Sequence, residues 1–221
     1  MTFRLVVLAS GRGSNLRALI QAQDSGVLNT RIVGVFSDRP ACAALALARE
    51  RGIATLALQP ADYPSRDAFD ESLFGEIEAV QPDLIVCAGY MRLISESAVQ
   101  RFQGRMINIH PSLLPKYPGL NTHSRALVAG DREHGASVHY VIPAVDAGAV
   151  IAQVCVPVLA NDSNESLARR VLEREHPLIV QSVKAISEGT IALSGAQIHR
   201  LGVLLRVPLS LNQLDQLEEP K

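Results

Sequence analysis

The sequence predicts an α/β protein with one domain built on a mostly parallel open sheet and helices on both faces. Two observations lead there. Short apolar runs of strand length alternate with stretches of helical spacing, the rhythm of βαβ units. Those runs are continuously apolar, as strands covered on both faces require. At 221 residues the chain is long enough for one substantial core.

The elements follow in order. Residues 5–8 form a first apolar run, and the glycine loop after them leads into a helix over residues 16–22. A second strand at 32–36 precedes a helix over 41–51, which starts after Pro40 and stops at Gly52. A third strand at 53–58 is followed by a helix over 66–80 that ends before Gln81 and Pro82. Strands at 84–88 and 106–109 complete the parallel pattern, and residues 138–142 and 150–158 read as later strands of the same sheet. A long helix starts near Ser163, carries Leu167, Val171, Leu172, Ile179, Val180, Val183 and Ile186 at mostly helical steps, and ends at Gly189. Pro177 should bend or interrupt it. Residues 1–206 form the expected domain, and 207–221, with Asp215, Glu218 and Glu219, are expected as a flexible C-terminal tail.

Composition narrows the function. A net charge of -1 provides no field for gripping a polyanion, so nucleic acid is not the expected partner. No apolar run approaches the roughly 20 residues of a membrane-spanning helix, and the start of the chain lacks a secretory pattern. The expected location is cytoplasmic. Cys42, Cys87 and Cys155 have neither disulfide nor thiolate-metal spacing and read as small hydrophobes. Oligomeric state does not follow from the sequence.

Open α/β sheets bind ligands at the carboxyl ends of their strands. There, residues 10–15 read Ser-Gly-Arg-Gly-Ser-Asn and open a helix, where free amides and the helix dipole favour an anion such as phosphate. Gly11 and Gly13 permit close approach, and Ser14 or Asn15 can cap the helix or bind ligand. The loop lacks the Gly-Lys-Ser/Thr of Walker A, and Leu16 stands where a dinucleotide fingerprint needs a third glycine. Asp38 keeps a dinucleotide reading open, and a plain strand-to-helix turn remains the simplest alternative.

At the end of the fifth strand, alternation puts Asn108 and His110 on one face, and Pro111 ends strand pairing. Asp146 is the only acid in the loop 143–148 between two apolar strands, and a carboxylate there needs a partner. His110 is that partner, and the pairing should raise its pKa. Acyl transfer to an amine passes through a tetrahedral species that calls for fixed donors and a proton shuttle, roles that Asn108, His110 and Asp146 can fill without a covalent enzyme intermediate. A polar strand end with a satisfied histidine is the alternative. His123, His134, His139 and His176 read as ordinary polar residues, and no metal is expected, since His110, His123 and Asp146 match no compact motif.

With these segments in view, the chain resembles the phosphoribosylglycinamide formyltransferases over roughly residues 3–189. The resemblance rests on residues 10–15, on Ala-Gly-Tyr-Met-Arg-Leu-Ile at 88–94, on Asn-Ile-His-Pro-Ser-Leu-Leu-Pro-Lys-Tyr-Pro-Gly at 108–119, and on Asp-Ala-Gly at 146–148. It implies a Rossmann-like formyltransferase fold. It also implies transfer of formyl from 10-formyltetrahydrofolate to the amine of 5-phosphoribosylglycinamide in de novo purine biosynthesis, by direct attack of the amine. By position, Gly13, Ser14 and Asn15 would hold the ribonucleotide phosphate, with Gly89, Pro111 and Glu175 near the rest of that substrate. Met91, Arg92, Leu93, Ile94 and Asn108 would line the folate site, Arg66 would face the glutamate tail, and Ile142, Pro143, Ala144, Val145 and Asp146 would wrap the pterin. Leu172 stands where the family commonly has a polar ribonucleotide contact, and Asn121 replaces a frequent histidine. Four rivals remain: a formyl-folate hydrolase, which typically carries an added N-terminal domain, a tRNA-directed formyltransferase, which would need an added C-terminal nucleic-acid-binding domain, a nicotinamide-dependent oxidoreductase and a non-catalytic nucleotide-binding module.

Overall fold

The computed structural model describes residues 2–220. The chain divides into two compact units, one reaching to Asn108 and the other starting at Ile109.

The first unit contains β1 (Phe3–Leu8), α1 (Ser14–Asp24), β2 (Thr30–Ser37), α2 (Ala43–Glu50), β3 (Thr55–Ala57), α3 (Arg66–Ala79), β4 (Leu84–Cys87), α4 (Glu96–Arg101) and most of β5 (Met106–His110). Its strands run in the order β5-β4-β1-β2-β3, every pair parallel. Leu5, Val6, Val7 and Leu8 are all fully buried, which is why β1 is apolar at consecutive positions rather than alternate ones. Helices cover the sheet through Leu16, Leu19, Leu45, Phe69, Leu73 and Phe74, and the Phe74 and Phe102 rings sit 5.8 Å apart. After β1 the chain builds outward through β2 and β3, then returns to add β4 and β5 on the other side. The order therefore reverses at β1, and the crevice at the carboxyl ends of β1 and β4 is where such a sheet receives ligands.

The second unit has α5 (Thr122–Ala129), β6 (Glu133–Tyr140), β7 (Val150–Pro157), α6 (Asn164–Ser187), β8 (Ile191–Ser194), β9 (Gln197–Arg200), β10 (Val203–Leu204), β11 (Leu209–Leu211) and β12 (Leu217–Glu218). Strands β6 and β7 pair antiparallel, β11 lies parallel to β7, and β12 closes antiparallel on β11. Strands β8, β9 and β10 make a separate antiparallel sheet. Helix α6 packs on β6 and β7. A reciprocal capping box between Ser163 and Ser166 starts it. Pro177 lies inside this helix without ending it. Among the described residues, no helix is long and apolar enough to cross a membrane.

Two expectations change. Strand β6 begins at Glu133 and ends at Tyr140, so Val141 and Ile142 belong to the loop rather than the strand. Its first half, Glu-His-Gly-Ala-Ser, has no apolar run to advertise it. After the exposed Glu133 it is buried, because small residues let the β7 backbone approach: a Cβ on Gly135 would meet the Val154 carbonyl oxygen. The stretch expected as a tail also contains β11 and β12. Leu209 and Leu211 are buried, Arg174 on α6 bonds Asp215 at 2.7 Å and the Asn212 carbonyl at 2.7 Å, and these contacts hold a segment too short to show periodicity.

Candidate active site

In the first unit, two loops meet at the switch point. The glycine loop leaves β1 with Gly13 in the left-handed region (φ 74°), serving as the N-cap of α1. Glycine is required there twice over. Its φ disfavours a side chain, and a Cβ would come within 2.8 Å of the Ala44 Cα at the start of α2. Ser14 and Asn15 are thus the first helical residues, not caps. The first turn of α1 carries no acidic side chain, so no carboxylate of that turn opposes an anion at its amino end.

Asp38 does not serve as an outward ribose contact. It is buried and accepts a 2.6 Å hydrogen bond from Ser10 Oγ. The second loop follows β4: Gly89 (φ 77°) turns the chain, and Met91 and Leu93 then expose their side chains by 63% and 57%. Core packing would hide those groups. Ile94 and Arg92 are half-buried, and the Arg92 guanidinium lies 4.9 Å over the Phe69 ring. Arg66 is exposed at the start of α3, where Ser65 caps the helix. Asn108 closes the first unit, paired in register with Cys87.

The second unit assembles the charged centre. His110 ends β5, and its ring is buried, with Nδ1 3.4 Å from Asp146 Oδ2 and Nε2 2.8 Å from the Tyr117 carbonyl oxygen. Asp146 lies in the β6–β7 loop at φ 49°, a left-handed conformation that aspartate tolerates better than most residues. Its Oδ2 also accepts the Gly119 amide at 2.7 Å. Its Oδ1 lies 3.5 Å from His139 Nε2, while His139 Nδ1 faces the Tyr140 carbonyl at 2.9 Å. The carboxylate therefore sits between two imidazoles, each turned toward a backbone carbonyl on its far side. A neutral ring has one N–H, so it can serve its carbonyl or the carboxylate but not both.

Burial would raise the Asp146 carboxyl, but His139, the Gly119 amide and His110 outweigh it and hold the group below the usual carboxylate range. His110 goes the other way from expectation. Burial lowers its pKa, and the Tyr117 carbonyl and Asp146 only partly offset that. The correction has a simple cause: the expected pairing is present, but the site that provides it also strips water from the imidazolium. Sequence reasoning also passed over His139. Alternation from Val138 hides a histidine on a buried strand, and nothing local links it to Asp146 further along the chain. His123 pairs with His134, Nδ1 to Nε2 at 3.1 Å, and burial lowers the pKa of both, His134 to about 4.

The remaining expected residues divide by unit. Gly13, Ser14, Asn15 and Gly89 belong to the first. Pro111, half-buried beside His110, and Glu175, buried on α6, belong to the second. Leu172, one turn before Glu175, is half-buried. Ile142, Pro143, Ala144 and Val145 are all exposed along the loop that leads to Asp146.

The formyl transferase family matches residues 3–183 of the chain. The phosphoribosylglycinamide formyltransferase of Escherichia coli (strain K12) is 44% identical over 189 residues, which cover 86% of this chain and 89% of that protein. The trifunctional purine biosynthetic protein adenosine-3 of Drosophila melanogaster is 42% identical over 193 residues, 86% of this chain but 14% of its own length. Among solved structures, the phosphoribosylglycinamide formyltransferase of Coxiella burnetii superimposes with a TM-score of 0.89 at 41% identity, covering 93% of this chain and 96% of that one. With a match that spans most of its length and takes in both loops of the first unit and the His110–Asp146 centre of the second, the chain belongs to the formyl transferase family.

Proposed function

We propose that this protein transfers the formyl group of 10-formyltetrahydrofolate to the amine of 5-phosphoribosylglycinamide, giving the N-formyl product and tetrahydrofolate. The observation that carries the reading is the contact between His110 and Asp146 at a strand end that also presents Asn108. In the reaction a C–N bond forms between the amine and the formyl carbon, the carbon's bond to the carrier nitrogen breaks, and one proton passes from the amine to that nitrogen. Asn108 donates its amide N–H to the oxygen that becomes negative in the tetrahedral intermediate. His110 starts neutral, takes the proton from the attacking amine and returns it to the departing nitrogen. Asp146 stabilises the imidazolium formed in between, and His139 holds the other carboxylate oxygen. Taking that proton at Nε2 requires the ring to leave the Tyr117 carbonyl while Nδ1–H stays with Asp146, and direct attack by the amine needs no covalent enzyme intermediate.

The binding roles follow the same reading. Gly13, Ser14 and Asn15 hold the phosphate at the amino end of α1, with Gly89, Pro111 and Glu175 toward the glycinamide and ribose. Met91, Arg92, Leu93 and Ile94 take the folate, Arg66 its glutamate tail, and Ile142 to Asp146 the pterin. Exposed apolar side chains suit the ring of such a heterocycle. A cytoplasmic location belongs to this proposal.

The deciding assay supplies both substrates and follows free folate and formylated product separately. Product formation separates transfer from hydrolysis, and release of folate without product would sink the proposed acceptor. Binding of a reduced nicotinamide without any response to formyl-folate would favour the oxidoreductase rival. Two further results are expected. Because burial lowers the His110 pKa, turnover should fall on the acid side with a midpoint below the ordinary histidine value near 6.5, as protonation removes the base. A pH–rate profile with its acid limb above that value would reject a neutral starting ring. Ser14→Ala should weaken ribonucleotide binding about tenfold and leave folate affinity within about twofold, as expected for the loss of one hydrogen bond to a charged phosphate. Titration calorimetry with each ligand checks this, and equal losses for both would reject the phosphate assignment.

A further inference from the structure

The segment 91–95 presents two exposed apolar side chains, yet its backbone is fastened at both ends by buried groups. At its start, the Met91 amide donates to Ser10 Oγ at 3.0 Å, and Ser10 Oγ donates in turn to Asp38 Oδ1 at 2.6 Å. The Ser10 amide bonds the Gly89 carbonyl at 3.0 Å, so the same residue ties the segment to the glycine loop. At its end, the Ser95 amide donates to Asp70 Oδ2 at 2.6 Å. Asp38 and Asp70 are both buried, Asp70 completely, and Ser10 and Ser95 are buried with them. Phe69, next to Asp70 on α3, supports the Arg92 guanidinium. Burying two carboxylates is costly. Here each one's hydrogen-bonding capacity is directed, at least in part, to a single loop backbone.

We propose that Asp38, acting through Ser10, and Asp70, acting directly, are positioning residues that hold the backbone of residues 91–95 in the arrangement that receives the formyl carrier. The proposal rests on the assignment of that segment to folate made above. The two anchors differ in reach. Asp70 bonds the end of the 91–95 segment at the Ser95 amide. Ser10 is also the first residue of the loop assigned to the phosphate, so its anchor sets both loops at once. Loss of the Asp70 anchor therefore weakens one substrate, and loss of the Ser10 anchor weakens both.

The test compares Asp70→Ala and Ser10→Ala with Asp70→Asn and Asp38→Asn, which keep an acceptor oxygen in place. Asp70→Ala should raise KM for 10-formyltetrahydrofolate about tenfold, the scale of one charge-assisted hydrogen bond, with the ribonucleotide KM within about twofold of wild type. Ser10→Ala should raise both KM values by similar factors. In each alanine variant kcat should fall less than KM rises, and the asparagine variants should stay within about threefold of wild type in every constant. Hydrogen exchange should quicken at the Ser95 amide in Asp70→Ala and at the Met91 amide in Ser10→Ala. Should Asp70→Ala fail to fold, Ser10→Ala, which deletes a single hydroxyl, decides the Ser10 anchor, and the near-isosteric Asp70→Leu, which removes the acceptor without leaving a cavity, decides the Asp70 one by the same folate KM and Ser95 exchange readouts. Unchanged KM values in the alanine variants would overturn the proposal, as would asparagine variants as impaired as the alanine ones. Wild-type protein that binds no formyl-folate, with exchange still quickened in the alanine variants, would instead overturn the functional reading and leave the anchors standing.

Discussion

His110→Ala is expected to lower kcat by about a hundred- to ten-thousand-fold, the range typical of losing a positioned acid–base group, with much smaller changes in either KM. In the proposed mechanism the ring handles a proton in transit and contributes little to holding either substrate. Asp146→Ala should cost a similar factor, because it removes both the charge that stabilises the imidazolium and the carboxylate that orients the ring. The double variant should be scarcely worse than either single one, since the two act as a unit. Steady-state kinetics on the three proteins gives the comparison, with circular dichroism to confirm that each is folded. Multiplicative losses would mean that His110 and Asp146 act independently, and near-normal turnover in Asp146→Ala would remove Asp146 from the mechanism.

Gly148→Ala should do comparable damage through packing alone. A Cβ on Gly148 would collide with the Tyr140 carbonyl oxygen, which is backbone and has no free end to swing aside. The neighbouring pairing of the Tyr140 amide with the Ala149 carbonyl, 3.0 Å, would have to open, and with it the base of the loop that aims Asp146. Overpacking of this kind typically costs about 1–3 kcal/mol, and each kcal/mol lowers the melting temperature by roughly 2 to 4 °C for a chain of this size. Turnover should fall at least as steeply as in Asp146→Ala at temperatures where the variant is folded. A variant with wild-type melting and turnover would show that the loop absorbs a methyl group without moving its carboxylate.

Much of this centre can be read from the sequence, for identifiable reasons. Asn108 and His110 stand two apart at the end of an apolar strand that Pro111 terminates, so local rules alone put them on one face. Asp146 stands out as a lone acid among apolar neighbours. The parallel strands of the first unit are legible because burial on both faces writes itself as continuous hydrophobicity. What escaped depends on tertiary contacts. The sign of the His110 pKa shift is decided by how much water the fold removes, which no spacing records. His139 sits in a strand whose polar half is buried through the absence of a side chain at Gly135. Residues 209–211 are a strand through pairing with β7 and β12 rather than through any pattern of their own. Asp38 is the instructive case: its position after β2 suited a ribose contact, and only the geometry turns it inward to Ser10.

The left-handed backbone at Asp146 has a bearing on which sequences evolution can try there. Glycine and asparagine would fit the conformation but carry no charge. Glutamate would keep the charge but suffer from the positive φ and carry its carboxylate one carbon further out. Main chain and chemistry thus screen the position separately, and few replacements pass both. The change Asp146→Asn, which suits the backbone while dropping the charge, would be the natural first step of any lineage that kept this loop and gave up the reaction.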